Sequence, residues 1–259
     1  MPTIPGFWLQ GPHDPLPVEP TWREFVQLAG GELVSNHLSG SPTFENADYF
    51  FPATSAVAEL KEIETEFSRS KGFLHKLHEL LERLLREDPN WRPPLLGGDG
   101  KYPEWFGREF LRIFRPPISR IIKKANRQIR ETKKHLGIQS PTGILLLVND
   151  GLTTLGPELI LSLACNLLMN TYSSIDCFVY LTLNRYVGIA GSNVPRLLWI
   201  PMYSDRAQES LVHFVNSLGG IWFTFLECKI GPFTTKLETP YGDIIKGSKS
   251  IVLPNEKRG

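Results

Sequence analysis

The chain has 259 residues, 41% of them hydrophobic and 21% charged, with a formal net charge of +1. Such values belong to an ordinary globular protein long enough to bury a sizeable core. They exclude a chain drawn to nucleic acid by its overall charge, so any such attraction has to come from a local patch.

Cys165, Cys177 and Cys228 are far apart and form no Cys-x-x-Cys pair. They fit buried thiols in a reducing cytoplasm better than a disulfide framework or a zinc site. The start of the chain lacks a basic segment followed by an apolar one, and no uninterrupted apolar run of about 18 residues occurs, so neither a signal peptide nor a membrane span is expected.

Residues 1–20 are proline-rich and read as an extended arm. Thr21 with Glu24 has capping-box spacing and predicts a helix to about residue 28, stopped by Gly30-Gly31. Residues 32–37 read as a strand. Residues 46–51 and 56–61 carry aromatic and β-branched side chains around the Pro- and Ser-containing segment 52–55, the pattern of a hairpin. A helical apolar stripe runs from residue 62 to 87, followed by a glycine- and proline-rich loop to Lys101. Pro116-Pro117 open a helix ending near Leu136, with Gly137 as its stop. Residues 143–148 are continuously apolar and read as a buried central strand. Pro157 starts a helix to about residue 169, residues 175–183 form another strand and residues 207–218 another helix. From Ile221 onward the tail reads as short strands with glycine turns.

The chemistry concentrates in the hairpin. With 52–55 as its loop, Phe51 pairs with Ala56, and Asp48 faces Glu59 across the strands. Lys61 lies on the same face, because strand side chains alternate. Opposed carboxylates roughly 5 Å apart at Cβ repel one another. A hard divalent cation between them turns repulsion into a binding site, and a neighbouring lysine can help a water lose its proton.

Asp48 followed by Glu59-Leu60-Lys61 resembles the PD-(D/E)XK nuclease superfamily, with Ala47 in place of the proline of the family's name. Other [DE]-x-K triplets occur, but Asp99-Gly100-Lys101 falls in a glycine-rich loop and Glu131-Thr132-Lys133 on a helix; Glu59-Leu60-Lys61 has the strand context and the upstream Asp. The resemblance implies an α/β, restriction endonuclease-like αβββαβ core with a mixed sheet flanked by helices over residues 21–190. It further implies a helical insertion at 62–115 and a C-terminal extension from 191. It implies an Mg²⁺-dependent endonuclease, with Mn²⁺ able to substitute. Asp48, Glu59 and the backbone carbonyl of Leu60 would hold the ion, Lys61 would activate water, and the substrate would be DNA, or alternatively RNA. Many such enzymes cut as homodimers. A non-cutting nucleic-acid-binding or scaffold protein of the same fold is the alternative.

Between Arg115 and Lys134 stand eight basic residues and one acid, Glu131. Lys123, Lys124 and Arg127 would track phosphates if that face meets nucleic acid; a plain solvated helix face has the same signature. Gln128 falls on the flank of the apolar stripe, where the family's helix residue reaches the active-site edge, and would position the water or Lys61. Lys133 lies on the opposite flank. Glu24 or Glu32 could add a carboxylate, His75 and His78 read as surface residues, Asp150 as turn chemistry, and Trp91, Trp105 and Trp222 as core rather than base-stacking groups.

Overall fold

A computed structural model describes residues 8–10, 13–38, 44–93, 96, 98, 101–188 and 195–238. In chain order its elements are β1 (Trp8–Gln10), α1 (Val18–Leu28), β2 (Glu32–Leu33), β3 (Tyr49–Phe51), β4 (Ala56–Ile63), α2 (Lys71–Glu87), α3 (Glu104–Leu136), β5 (Thr142–Asn149), α4 (Pro157–Thr171), β6 (Cys177–Leu181), β7 (Arg185–Val187), β8 (Trp199–Tyr203) and α5 (Glu209–Ile230).

Six strands form one mixed open sheet in the order β2-β3-β4-β5-β6-β8, and β1 pairs with β7 in a separate ribbon. β5 runs parallel to β4 on one side and to β6 on the other, while β2, β3 and β8 join antiparallel. Its run of leucines is uniformly apolar because helices cover both faces: Leu145, Leu146 and Leu147 are fully buried. On one face Val57, Ile63, Leu145 and Leu147 pack against Ile118, Ile122 and Ile129 of α3 and Ile160 and Ala164 of α4. On the other, Ala56, Ala58 and Leu146 meet Trp22 and Phe25 of α1 and Val215, Leu218 and Trp222 of α5. Strand alternation therefore turns Glu59 and Lys61, which share a face with Val57 and Ile63, toward α3.

Several boundaries differ from expectation, each for a physical reason. The proline-rich start is not extended throughout: residues 8–10 pair with β7 and α1 begins at Val18. Pro17, with φ −67° and ψ 122°, is its N-cap, and Thr21 lies inside the helix, its N–H bonded to the Pro17 carbonyl at 3.1 Å. The first strand of the main sheet is only Glu32–Leu33, after which residues 34–37 coil into a 3-10 turn. Residues 62–63 are strand, not helix, because β5 carries β4 through the pair Ile63↔Asn149; α2 starts only at Lys71, where Ser70 accepts from the Phe73 amide.

The double proline does not open α3 but lies inside it. The upstream half is held by packing: Phe114 meets Phe73 of α2 edge to face at 4.6 Å, and Phe106 joins Leu80 and Leu84. These contacts outweigh a proline penalty of about 3 kcal/mol. Gly137 does end the helix, in the left-handed conformation at φ 61°.

Of the short strands expected from Ile221 onward, residues 221–230 are helix instead, and residues 239–259 lie outside the described residues. Trp222, Phe225 and Leu226 continue the buried stripe of Leu211, Val215 and Leu218, so α5 runs to Ile230. Gly219, which reads as a breaker, is small for a different reason: a Cβ there would lie 2.7 Å from Nε1 of Trp199. Among the described helices α5 alone is long and apolar enough to cross a membrane by composition; in this fold its apolar stripe covers the sheet.

Candidate functional site

The turn between β3 and β4 fixes the register. Pro52–Thr54 form a 3-10 turn and Ser55 takes the left-handed conformation (φ 51°), so Phe51 pairs with Ala56, Phe50 with Val57 and Tyr49 with Ala58. Asp48, expected within the strand, lies in a bend one step outside it, and residues 46–47 are not strand either. β3 ends there, covering only Ala56–Ala58, while β5 accompanies β4 to Ile63. The β3-side edge of β4 beyond Ala58 is thus left to side chains.

Asp48 uses that edge. Its Oδ2 accepts the Leu60 N–H at 2.8 Å. N–H and C=O of one residue leave an extended strand on the same side, so the Leu60 carbonyl is turned to the same edge. Glu59 is completely buried. Lys61, itself 20% exposed, donates from Nζ to Glu59 Oε1. The carboxyl groups of Asp48 and Glu59 come within hydrogen-bonding reach of each other, and Glu59 Oε2 is buried without a donor.

Burial, first, and then the neighbouring Asp48 charge push the Glu59 carboxyl up to about 8, against the pull of Lys61. Burial also raises Asp48, opposed by the Leu60 N–H and the Lys61 charge. Both shifts favour the uncharged acid, because two carboxyls meet where water is largely excluded. A divalent ion placed between them would relieve the same repulsion with hard oxygen donors.

Helix α3 fixes the approach to Asp48. Thr132, fully buried, accepts the Ala47 N–H on Oγ1 at 2.8 Å, and Gln128 donates from Nε2 to the Asn46 carbonyl at 2.9 Å. Gln128 Oε1 is buried without a partner. Arg127 and Lys124 reach Glu45 at 2.6 and 3.6 Å. Residues 45–47 are thereby clamped along one flank of α3. Gln128 is attached to the main chain that carries Asp48, a different anchorage from the expected one at Lys61 or a water. Thr132→Val should cost about 1–3 kcal/mol by orphaning the buried Ala47 amide. Urea titration reads the loss.

Other sequence candidates fall outside the pair. Lys123 is exposed on α3. Lys133 is buried and donates to Ser174 O and Asp176 Oδ2, both at 2.9 Å, on the flank away from Gln128. Asp150 accepts the amides of Leu183 and Asn184 at 3.0 Å, which is turn chemistry. Glu24 is paired with Lys229 of α5, and Glu32 with His37. His75 and His78 are exposed beside Glu79 and Glu82. Trp222 is core, and Arg83 lies 4.3 Å over the Trp105 ring. Asp99 and Gly100 lie outside the described residues. The residue that sequence reasoning missed is Thr132, whose hydroxyl holds the Ala47 amide next to Asp48. No spacing rule links residues 47 and 132; the docking of α3 on the sheet does. Among the described residues, no group of three or more His, Cys, Asp and Glu side chains converges.

Fold and site together define an α/β protein with a mixed six-stranded sheet and, on its α3 face, two carboxyls and an amine gathered at the end of a strand. No protein family, curated protein or solved structure matches the chain.

Proposed function

We propose that the chain is a divalent-cation-dependent nuclease of the PD-(D/E)XK type, acting on DNA. One observation carries the reading: Asp48, just outside β3, comes up against Glu59 on β4, with Glu59 Oε2 buried and lacking a donor and Lys61 beside them. Glu59 is buried with only one of its two oxygens paired, and a buried acid left partly unpaired costs free energy unless a ligand turns it to use. The order α1-β2-β3-β4-α3-β5, with α2 interposed, supports the αβββαβ core that the resemblance implies.

Asp48, Glu59 and the Leu60 carbonyl would hold Mg²⁺ or Mn²⁺, with water and phosphate oxygens completing the shell. The bound ion would polarise the scissile phosphate and offset charge on its oxygens in the transition state. Lys61, kept beside the pair by Glu59 Oε1, would orient the attacking water and move its proton. Gln128 and Thr132 would hold the segment before Asp48 at the right distance. Lys124 and Arg127, exposed on α3, would meet phosphates, exchanging Glu45 for the substrate backbone.

Calorimetric titration with Mn²⁺, followed by cleavage assays on matched DNA and RNA strands, tests the reading. Ion binding that Asp48→Asn removes, together with metal-dependent cleavage, upholds it. Oligonucleotide binding with neither would instead identify a non-cutting scaffold.

A further inference from the structure

We infer that the tip of the α2–α3 hairpin is a second contact for nucleic acid, a pocket that takes one unpaired base with its phosphate; for the class of ligand, this rests on the nuclease reading. The two helices run antiparallel, with Phe73 against Phe114 near the sheet and Leu80 and Leu84 against Phe106 farther out. At their connection lies a cavity of about 450 Å³ lined by Asp88, Asn90, Trp91, Arg92, Lys101 and Tyr102. Its rings are presented edge and face at once. Tyr102 is 50% exposed, stacks on Phe106 (4.5 Å, 17°) and is tilted 39° to Trp91 at 5.2 Å. Trp91 is fixed by its Nε1–H, which donates to the Lys101 carbonyl at 3.0 Å. The Arg92 guanidinium is held at the rim by the carbonyls of Pro89 and Trp91, both at 2.8 Å.

An exposed aromatic face bordered by a fixed guanidinium is the chemistry that takes a base and its phosphate. A peptide could use such a pocket too, but the path from it favours a polyanion. Arg112, Arg115, Lys123 and Arg127 are all exposed on α3 between the tip and Asp48. At 1.5 Å per residue, Glu104 and Gln128 are about 36 Å apart, close to ten base pairs of duplex. The uncovered edge of β4 heads the same way, since Phe67, just beyond it, meets Phe114. A substrate with a single-stranded flank about ten pairs from the cut would occupy both places.

The test measures binding without cleavage. In excess chelator, fluorescence anisotropy follows a labelled twenty-nucleotide oligothymidylate, or a blunt duplex of equal length, on wild type, Tyr102→Ala and Tyr102→Phe. Tyr102→Ala should weaken the single strand roughly five- to hundred-fold, the weight of one lost stack, and the duplex less than two-fold. Tyr102→Phe keeps the ring and should bind as wild type, with circular dichroism unchanged in both. Equal binding by all three proteins, or equal loss in both variants, overturns the inference and leaves a peptide as the pocket's occupant. Asp48→Asn separates the two readings. If it cleaves normally while the Tyr102 effect persists, only the nuclease reading fails; if it is inactive while Tyr102→Ala binds normally, only the pocket does.

Discussion

Lys61→Met should lower phosphodiester cleavage about 10²- to 10⁴-fold while the protein still binds Mn²⁺, and Asp48→Asn should remove both. The two variants separate because the proposed roles differ: Asp48 would give oxygen to a cation, Lys61 an amine to a water. Methionine preserves most of the lysine stem, which crosses the half-buried rim of the site. It also strips Glu59 Oε1 of its donor, which favours the neutral acid still more and weakens ion binding near neutrality. Calorimetry on Lys61→Met therefore belongs at pH 9, above the wild-type Glu59 value of about 8. Cleavage by Lys61→Met at the wild-type rate would take the lysine out of the chemistry altogether.

The hairpin was legible in the sequence because its information is local. An alternating pattern and a Pro-containing turn fix Phe51 against Ala56, and with it the face that Glu59 and Lys61 share on β4; Asp48, beyond the paired residues, also depends on the α3 contacts to Asn46 and Ala47. The buried run at β5 was equally plain. What escaped was set by tertiary partners. Phe106, Phe110 and Phe114 extend α3 upstream through two prolines, because α2 supplies a surface for them. Trp199 needs a residue without Cβ at Gly219, so a glycine that looks like punctuation is a packing position. The attachment of Gln128 to the Asn46 carbonyl joins residues 82 positions apart. Sequence periodicity put Gln128 on the proper flank of α3 and could not say which atom it would bind.

Glu59→Gln should make the cation-free protein more stable above pH 7 and abolish its ion binding. A carboxyl that titrates near 8 in the fold, against an ordinary value of 4.5, holds a proton that the unfolded chain has already released. Between those limits the folded state binds more protons, so stability is greatest at low pH and falls as pH rises, by about 1.4 kcal/mol per unit at the most. Above 8 the decline ends. Burial raises Asp48 as well, and raises half-buried Glu62 to about 7 beside Glu64 and Asp150, both adding in the same direction. Glutamine keeps the shape of Glu59 without titrating, and should flatten most of the slope. Saturating Mn²⁺ should lift wild type at pH 8 by about 2.7 kcal/mol at a hundred times its dissociation constant, and leave Glu59→Gln unmoved. Urea titrations from pH 5 to 9 in chelator are the measurement. A wild-type stability that rises over that range would mean the two acids are held by ordinary pairing rather than poised for a ligand.

Pro116 and Pro117 lack amide hydrogens, so the carbonyls of Arg112 and Ile113 lose their partners one turn back, midway along α3. The helix is consequently held by separate attachments on either side of the break. Its inner length packs on the sheet and holds the segment before Asp48 through Gln128 and Thr132, while its outer length is fastened by Phe73, Leu80 and Leu84 of α2. Two independently packed halves carry the missing backbone bonds, so the break costs the fold less than it would cost an isolated helix.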